Sequence, residues 1–208
     1  MIQLPIYKKE FFLKDMTFHV DLTEGLQQYL ERPEHVSVDT FSEYNPIYFK
    51  TVNENAVSVF DYVFSKYDHL IFVASIMTYN DVPKERTNFL SKYIKNHHKW
   101  KYHLQRKVFK NDIDIDEDFK NFEYYWVKID KKDLRHKKLI ESIANMDFPR
   151  RTPNMNKRWT WNDYFILSED QNITFFMHDD TGIGVNFKNK DDYVAFKKKY
   201  EHFKYEYV

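Results

Sequence analysis

Hydrophobic positions in this chain switch between helical and strand spacing, and the switches divide it into elements. Asp21 followed by Glu24 forms a capping box, after which Leu22, Leu26, Tyr29 and Leu30 recur at helical spacing until Pro33. A short amphipathic helix is predicted there. Ile47 to Thr51 reads as a strand, and Asn53 then caps a helix in which Ala56, Val57, Phe60, Phe64 and Tyr67 share one face. Leu70 to Met77 is a nearly unbroken, β-branched apolar run of strand length, the pattern of a central strand covered on both faces. Tyr124 to Ile129 resumes strand character. Leu139, Ile140, Ile143 and Met146 then mark a helix that ends before Pro149, because the residue preceding a proline is pushed out of the helical region.

Asp147 to Asp163 contains two prolines and no period, so it reads as a long loop, and loops of that length are commonly functional. Tyr164 to Leu167 and Ile173 to His178 follow as strands joined across Ser168 to Asn172, a hairpin with a longer turn. Val185 and Phe187 suggest a third strand after Gly182 and Gly184, and Tyr193, Phe196, Tyr200 and Phe203 mark a closing helix from about Asp191. The predicted class is α+β: a mixed or antiparallel sheet with a C-terminal β-hairpin and four to five amphipathic helices packed on it. Residues 1–208 read as a single domain, with 1–40 as a peripheral N-terminal extension.

Composition narrows the chemistry. Nineteen Phe, sixteen Tyr and four Trp supply large burial areas with polar edges. The three glycines, Gly25, Gly182 and Gly184, cannot write a Rossmann fingerprint or a P-loop. Cysteine is absent, which removes disulfides, thiol nucleophiles and thiolate metal sites, and fits a reducing compartment. The first twelve residues place Lys8, Lys9 and Glu10 ahead of any apolar run, and no stretch approaches a transmembrane length, so a cytoplasmic protein with no membrane partner is expected. Lys and Arg total 32 and so do Asp and Glu, which gives no global field toward nucleic acid and makes protein the favoured partner. Charge is nevertheless local. Lys84 to Lys110 carries nine Lys or Arg and one acid, with Phe89, Tyr93, Trp100 and Tyr102 interleaved; the next segment, to Glu123, carries Asp112, Asp114, Asp116 and Asp118, an acidic surface able to neutralise it.

No motif carries catalysis. The serines lack a nucleophile elbow, and His97, His98 and His103 match no zinc spacing. His178, Asp179 and Asp180 contain the right groups for a divalent cation, but neighbours on a strand point to opposite faces, and a turn through Thr181 and Gly182 itself calls for Asp. No metal or cofactor is therefore assigned. Arg150, Arg151, Lys157, Arg158, Trp159 and Trp161 combine guanidinium groups with indoles, the residue types of protein-interface hot spots.

The run Leu139 to Arg150, the triplet Tyr164 to Ile166 and the run Phe-Met-His-Asp-Asp-Thr-Gly ending at Gly182 resemble an uncharacterised family found mainly in Gram-positive bacteria, domain-of-unknown-function family 3885. The resemblance is strongest from Phe122 to Tyr207 and looser over Phe60 to Val73. It implies a small cytoplasmic protein of the kind found beside secreted toxins as an immunity factor. The family pattern has Arg after the paired aspartates and Asp before the following Val, where this chain has Thr181 and Gly184. Such a loss suits a turn or a diverging interface better than an active site. The expected function is thus a non-catalytic, toxin-neutralising protein that binds through Arg150, Arg151, Arg158, Trp159, Trp161, His178, Asp179 and Asp180. The competing expectations are a metal-dependent enzyme acting on nucleic acid or a nucleotide through His178, Asp179 and Asp180, and an RNA- or single-strand-binding module using Lys84 to Lys110.

Overall fold

The structure, a computed structural model, describes residues 16, 18–22, 46–78, 88–110, 121–148, 150–155 and 160–201. Its strands are β1 (Phe18–Asp21), β2 (His69–Thr78), β3 (Gln105–Lys110), β4 (Asn121–Asp130), β5 (Thr160–Ser168), β6 (Ile173–Met177) and β7 (Ile183–Phe187). They form one sheet in the order β1-β7-β6-β5-β2-β4-β3, with every pairing antiparallel. The helices among the described residues are α1 (Pro46–Val63), α2 (Asn88–Tyr93), α3 (His97–Lys101), α4 (His136–Ala144) and α5 (Lys190–Lys199). The α+β class, the C-terminal hairpin and the helix number are as the sequence predicts.

Alternation along the strands separates two faces. Leu70, Phe72, Ala74 and Ile76 of β2 face the helices and join one core with Phe49, Val52, Ala56 and Phe60 of α1, Ile140 and Ile143 of α4 and Phe196 of α5. Each of the larger side chains among them, fully buried, contributes about 1.5–3 kcal/mol, and each alanine methyl about 0.8 kcal/mol. The opposite face carries a smaller cluster of Val73, Phe165, Leu167 and Phe176. β2 is thus covered on both faces, and it pairs along its length with β4 and β5. By position the middle of the seven strands is β5, and β2 lies next to it.

Four local readings are corrected. Ile47 to Thr51 is helical: Pro46 supplies a preset φ for the first turn, Tyr48, Phe49 and Val52 continue the buried stripe of Ala56 and Phe60, and Asn53 lies inside α1 instead of capping it. Asp21 ends a strand that pairs with β7 from Phe18↔Phe187 to Asp21↔Gly184; the remainder of the helix predicted to Pro33 lies outside the described residues. The loop after α4 ends earlier than its composition suggests, because Trp161 and Asp163 belong to β5, paired with Met77 and Ser75. The boundary of the acidic segment shifts for the same reason. Glu123 is a buried β4 residue that accepts hydrogen bonds from Arg106 (2.7 Å) and Tyr125 (2.6 Å). Among the described residues, no helix is long and apolar enough to cross a membrane.

Candidate functional site

Two segments singled out by sequence meet at one rim, at the Thr78 end of β2. The first is the β6–β7 turn. His178 N–H donates to Gly182 O (3.0 Å), and Asp179 Oδ1 accepts from the Thr181 N–H (2.6 Å) and hydroxyl (2.5 Å). This is the side-chain-to-backbone bonding for which a turn selects Asp. Asp180 points inward and is fully buried, where Tyr48 of α1, also fully buried, donates to its Oδ2 at 2.6 Å. The turn is therefore tied to the first turn of α1.

The second segment is the α4–β5 connection, and Asn145 organises it. Its fully buried side chain accepts from Arg151 Nε (2.6 Å) and donates to Pro153 O (2.9 Å), while Asn154 donates to the carbonyls of Asn145 and Phe148. Thr152–Pro153 is a cis peptide bond. The Arg151 guanidinium lies 3.7 Å from the centre of the Phe49 ring, which meets Phe148 edge-on at 4.8 Å. Lys92 of α2 reaches across to Asn154 O (2.7 Å), and its burial lowers the pKa of the ammonium. Arg150, on the outside, is exposed.

Where the segments touch, Asp147, Asp179 and Asp180 each place a carboxylate oxygen within 4.8 Å of the others, an arrangement able to hold a divalent cation. His178 is not part of this group: its ring lies edge-on to Phe176 at 4.8 Å, so the expected His178–Asp179–Asp180 set is replaced by Asp147, Asp179 and Asp180.

Arg150, Arg151, His178, Asp179 and Asp180 are thus brought to one rim. Arg158 and Trp159 lie outside the described residues, as do Asp112, Asp114, Asp116 and Asp118, and Trp161 is described only as a backbone position of β5. Sequence reasoning missed Tyr48, Asn145 and Asp147. Tyr48 was hidden by the strand reading of its segment. Asn145 and Asp147 sit in a run whose resemblance to a family was noted, but neither has a spacing that announces a role.

The family model described as a domain of unknown function, DUF3885, matches residues 16–208. No curated protein and no solved structure matches the chain.

Proposed function

Taking as premise that the chain belongs to the family of the domain of unknown function DUF3885, we propose that it is a non-catalytic protein-binding protein. In this reading it is a cytoplasmic immunity protein that neutralises a cognate bacterial toxin by covering it with the rim formed by Asn145–Met155 and His178–Gly182. The observation that carries the reading is the use to which the rim's polar groups are put. Asp179 and Asp180 serve a turn and a buried tyrosine, and Asn145 staples its own loop, so these groups fix a shape. A surface fixed in advance loses little entropy on binding, and arginine on such a surface supplies both charge and planar contact. Arg150 and Arg151 are the groups to anchor a partner. The test is co-expression with a toxin encoded beside the gene. Wild type should co-purify in stoichiometric amount and Arg150→Glu should not; equal recovery of the toxin by both proteins would refute the assignment of the interface.

The three-carboxylate cluster favours a second reading, a metal-dependent enzyme acting on a nucleotide or nucleic acid. Calorimetric titration with Mn2+ decides it. Saturable binding lost in Asp147→Asn supports the enzyme, and absence of binding removes it.

A further inference from the structure

The other end of the sheet carries a second feature that the rim does not use. Ten β2 residues separate the two ends, roughly 30 Å at strand rise. There the start of β2, the end of β4, the α3–β3 connection and the β5–β6 turn enclose a cleft of about 830 Å3. That volume falls within the range of small-molecule sites.

Its walls are aromatic, and its two formally charged lining residues, Lys128 and Asp130, are of opposite sign. Trp126 lies half-buried in the cleft, and Tyr102 on its edge is 90% exposed, an unusual position for a large ring. Trp100 is fixed behind them by its Nε1–H, which donates to the buried Asp133 at 3.0 Å. Nearby acids are already engaged. Asp130 pairs with Lys99 (3.2 Å) and His69 (3.0 Å), and Glu169 pairs with Lys128 (2.8 Å). His103 is exposed in the lining beside Tyr102, and the exposed ammonium of Lys101 lies next to Tyr102 in the chain, just outside the lining.

Backbone strain marks the same place. Among the described residues the two non-glycine positions at positive φ are Asn96 (52°) and Gln171 (56°). Asn96 begins the helix that carries Trp100, and Gln171 lines the cleft. Asn tolerates this conformation, whereas Gln has no local reason to be preferred there over Gly. Strained residues concentrate where a side chain has work to do.

We propose that this cleft binds a nucleotide, with the base against Tyr102 and Trp126, the carboxamides of Gln105 and Gln171 at its edges, and the phosphate at the mouth, past His103 toward the exposed Lys101. Exposed rings beside cations are the elements of single-strand and nucleotide recognition, and carboxamides offer a base both donor and acceptor. An acidic peptide would use the cations but leave the rings and amides idle. The nucleotide is either free or one unit of a single strand, and the two sources differ in how they bind.

The experiment is a titration of the full chain with AMP, UMP, ten-residue oligoadenylate and oligouridylate, and a hexaglutamate peptide, read by tryptophan fluorescence at low salt. Saturable binding of a nucleotide probe, weakened about fivefold or more by Tyr102→Ala, supports the proposal, because one base stacked on one ring contributes that much. Tyr102 is too exposed for this variant to threaten folding, and Trp126→Phe, which keeps a ring, should bind nearly as wild type. Oligomers that bind far more tightly than mononucleotides, with affinity falling steeply as salt is added, identify a strand; equal affinities identify a free nucleotide. The proposal is overturned if no nucleotide probe saturates, if Tyr102→Ala changes nothing, or if hexaglutamate binds as well as the nucleotides. None of these results depends on the rim at the other end.

Discussion

Gly184 offers the sharpest test of how the rim is built. It lies opposite Phe176 in the β6–β7 pair, and the phenyl ring folds across it, so that a Cβ added at Gly184 would stand 2.1 Å from Cζ, 2.2 Å from Cε1 and 2.8 Å from Cε2 of that ring. The backbone is not the obstacle, since no described glycine has a positive φ. The ring is, and it is confined by His178 at 4.8 Å, Phe165 at 5.9 Å and His19 at 6.2 Å. Gly184→Ala must push the ring away from those contacts, an overpacking cost of about 1–3 kcal/mol. Against this stands the gain of about 0.5–1 kcal/mol that Ala has over Gly in a strand. A net loss of about 0–2.5 kcal/mol follows, with a midpoint of about 1 kcal/mol, or roughly 2–4 °C in Tm for a chain of this size. In a Phe176→Leu background the ring atoms are gone, and Gly184→Ala becomes neutral or stabilising. Urea unfolding of the wild type, both single variants and the double variant gives the coupling, expected at about 1.5–3 kcal/mol. Additivity within about 0.5 kcal/mol would refute the reasoning. A carboxylate at the same position meets the ring with more atoms and carries a charge, so Gly184→Asp should destabilise more than Gly184→Ala.

Three further outcomes follow from the hydrogen bonds and charges. Tyr48→Phe removes a buried donor from a carboxylate and should cost about 2 kcal/mol by chemical denaturation; a loss under about 0.5 kcal/mol would mean that the α1 latch is unimportant. Gln171→Gly relieves a left-handed residue and should raise stability by about 1 kcal/mol in the same assay, with unchanged stability counting against the strain. His136 is stacked on Phe60 (4.5 Å), and burial lowers its pKa below 6.5 despite the opposing pull of Asp61, with Lys137 and Lys131 adding to the lowering. The unfolded chain therefore binds the proton more readily, so this group's contribution is complete above about pH 7 and is lost as pH falls through about 6.5. Urea midpoints at pH 7.5 and 5.5 should fall further for wild type than for His136→Phe; equal drops would contradict the assignment.

The parts of the fold legible in sequence are those where one period dominates. β2, the β5–β6 hairpin and α5 were readable because their apolar spacing has a single interpretation. Ile47 to Thr51 reads as a strand in sequence because a short apolar run fits either period, and only the helix continuing through Val63 decides it. The rim was half legible. Turn chemistry at Asp179 and Thr181 follows from residue type, and the loop after α4 follows from its prolines. Their meeting depends on strand order, and the burial of Asp180 against Tyr48, 132 positions away, has no local trace. The cleft at the far end was visible only as a basic, aromatic stretch, since Trp126 and Gln171 come from other strands and turns.

Affinity capture of the tagged chain from its native host at moderate salt, run in parallel with Arg150→Glu and quantified by mass spectrometry, examines the proposed function at its root. One stoichiometric protein, encoded beside the gene and lost in the variant, is the expected result. Recovery of no protein, or of one that the variant retains in full, would contradict a partner-binding rim.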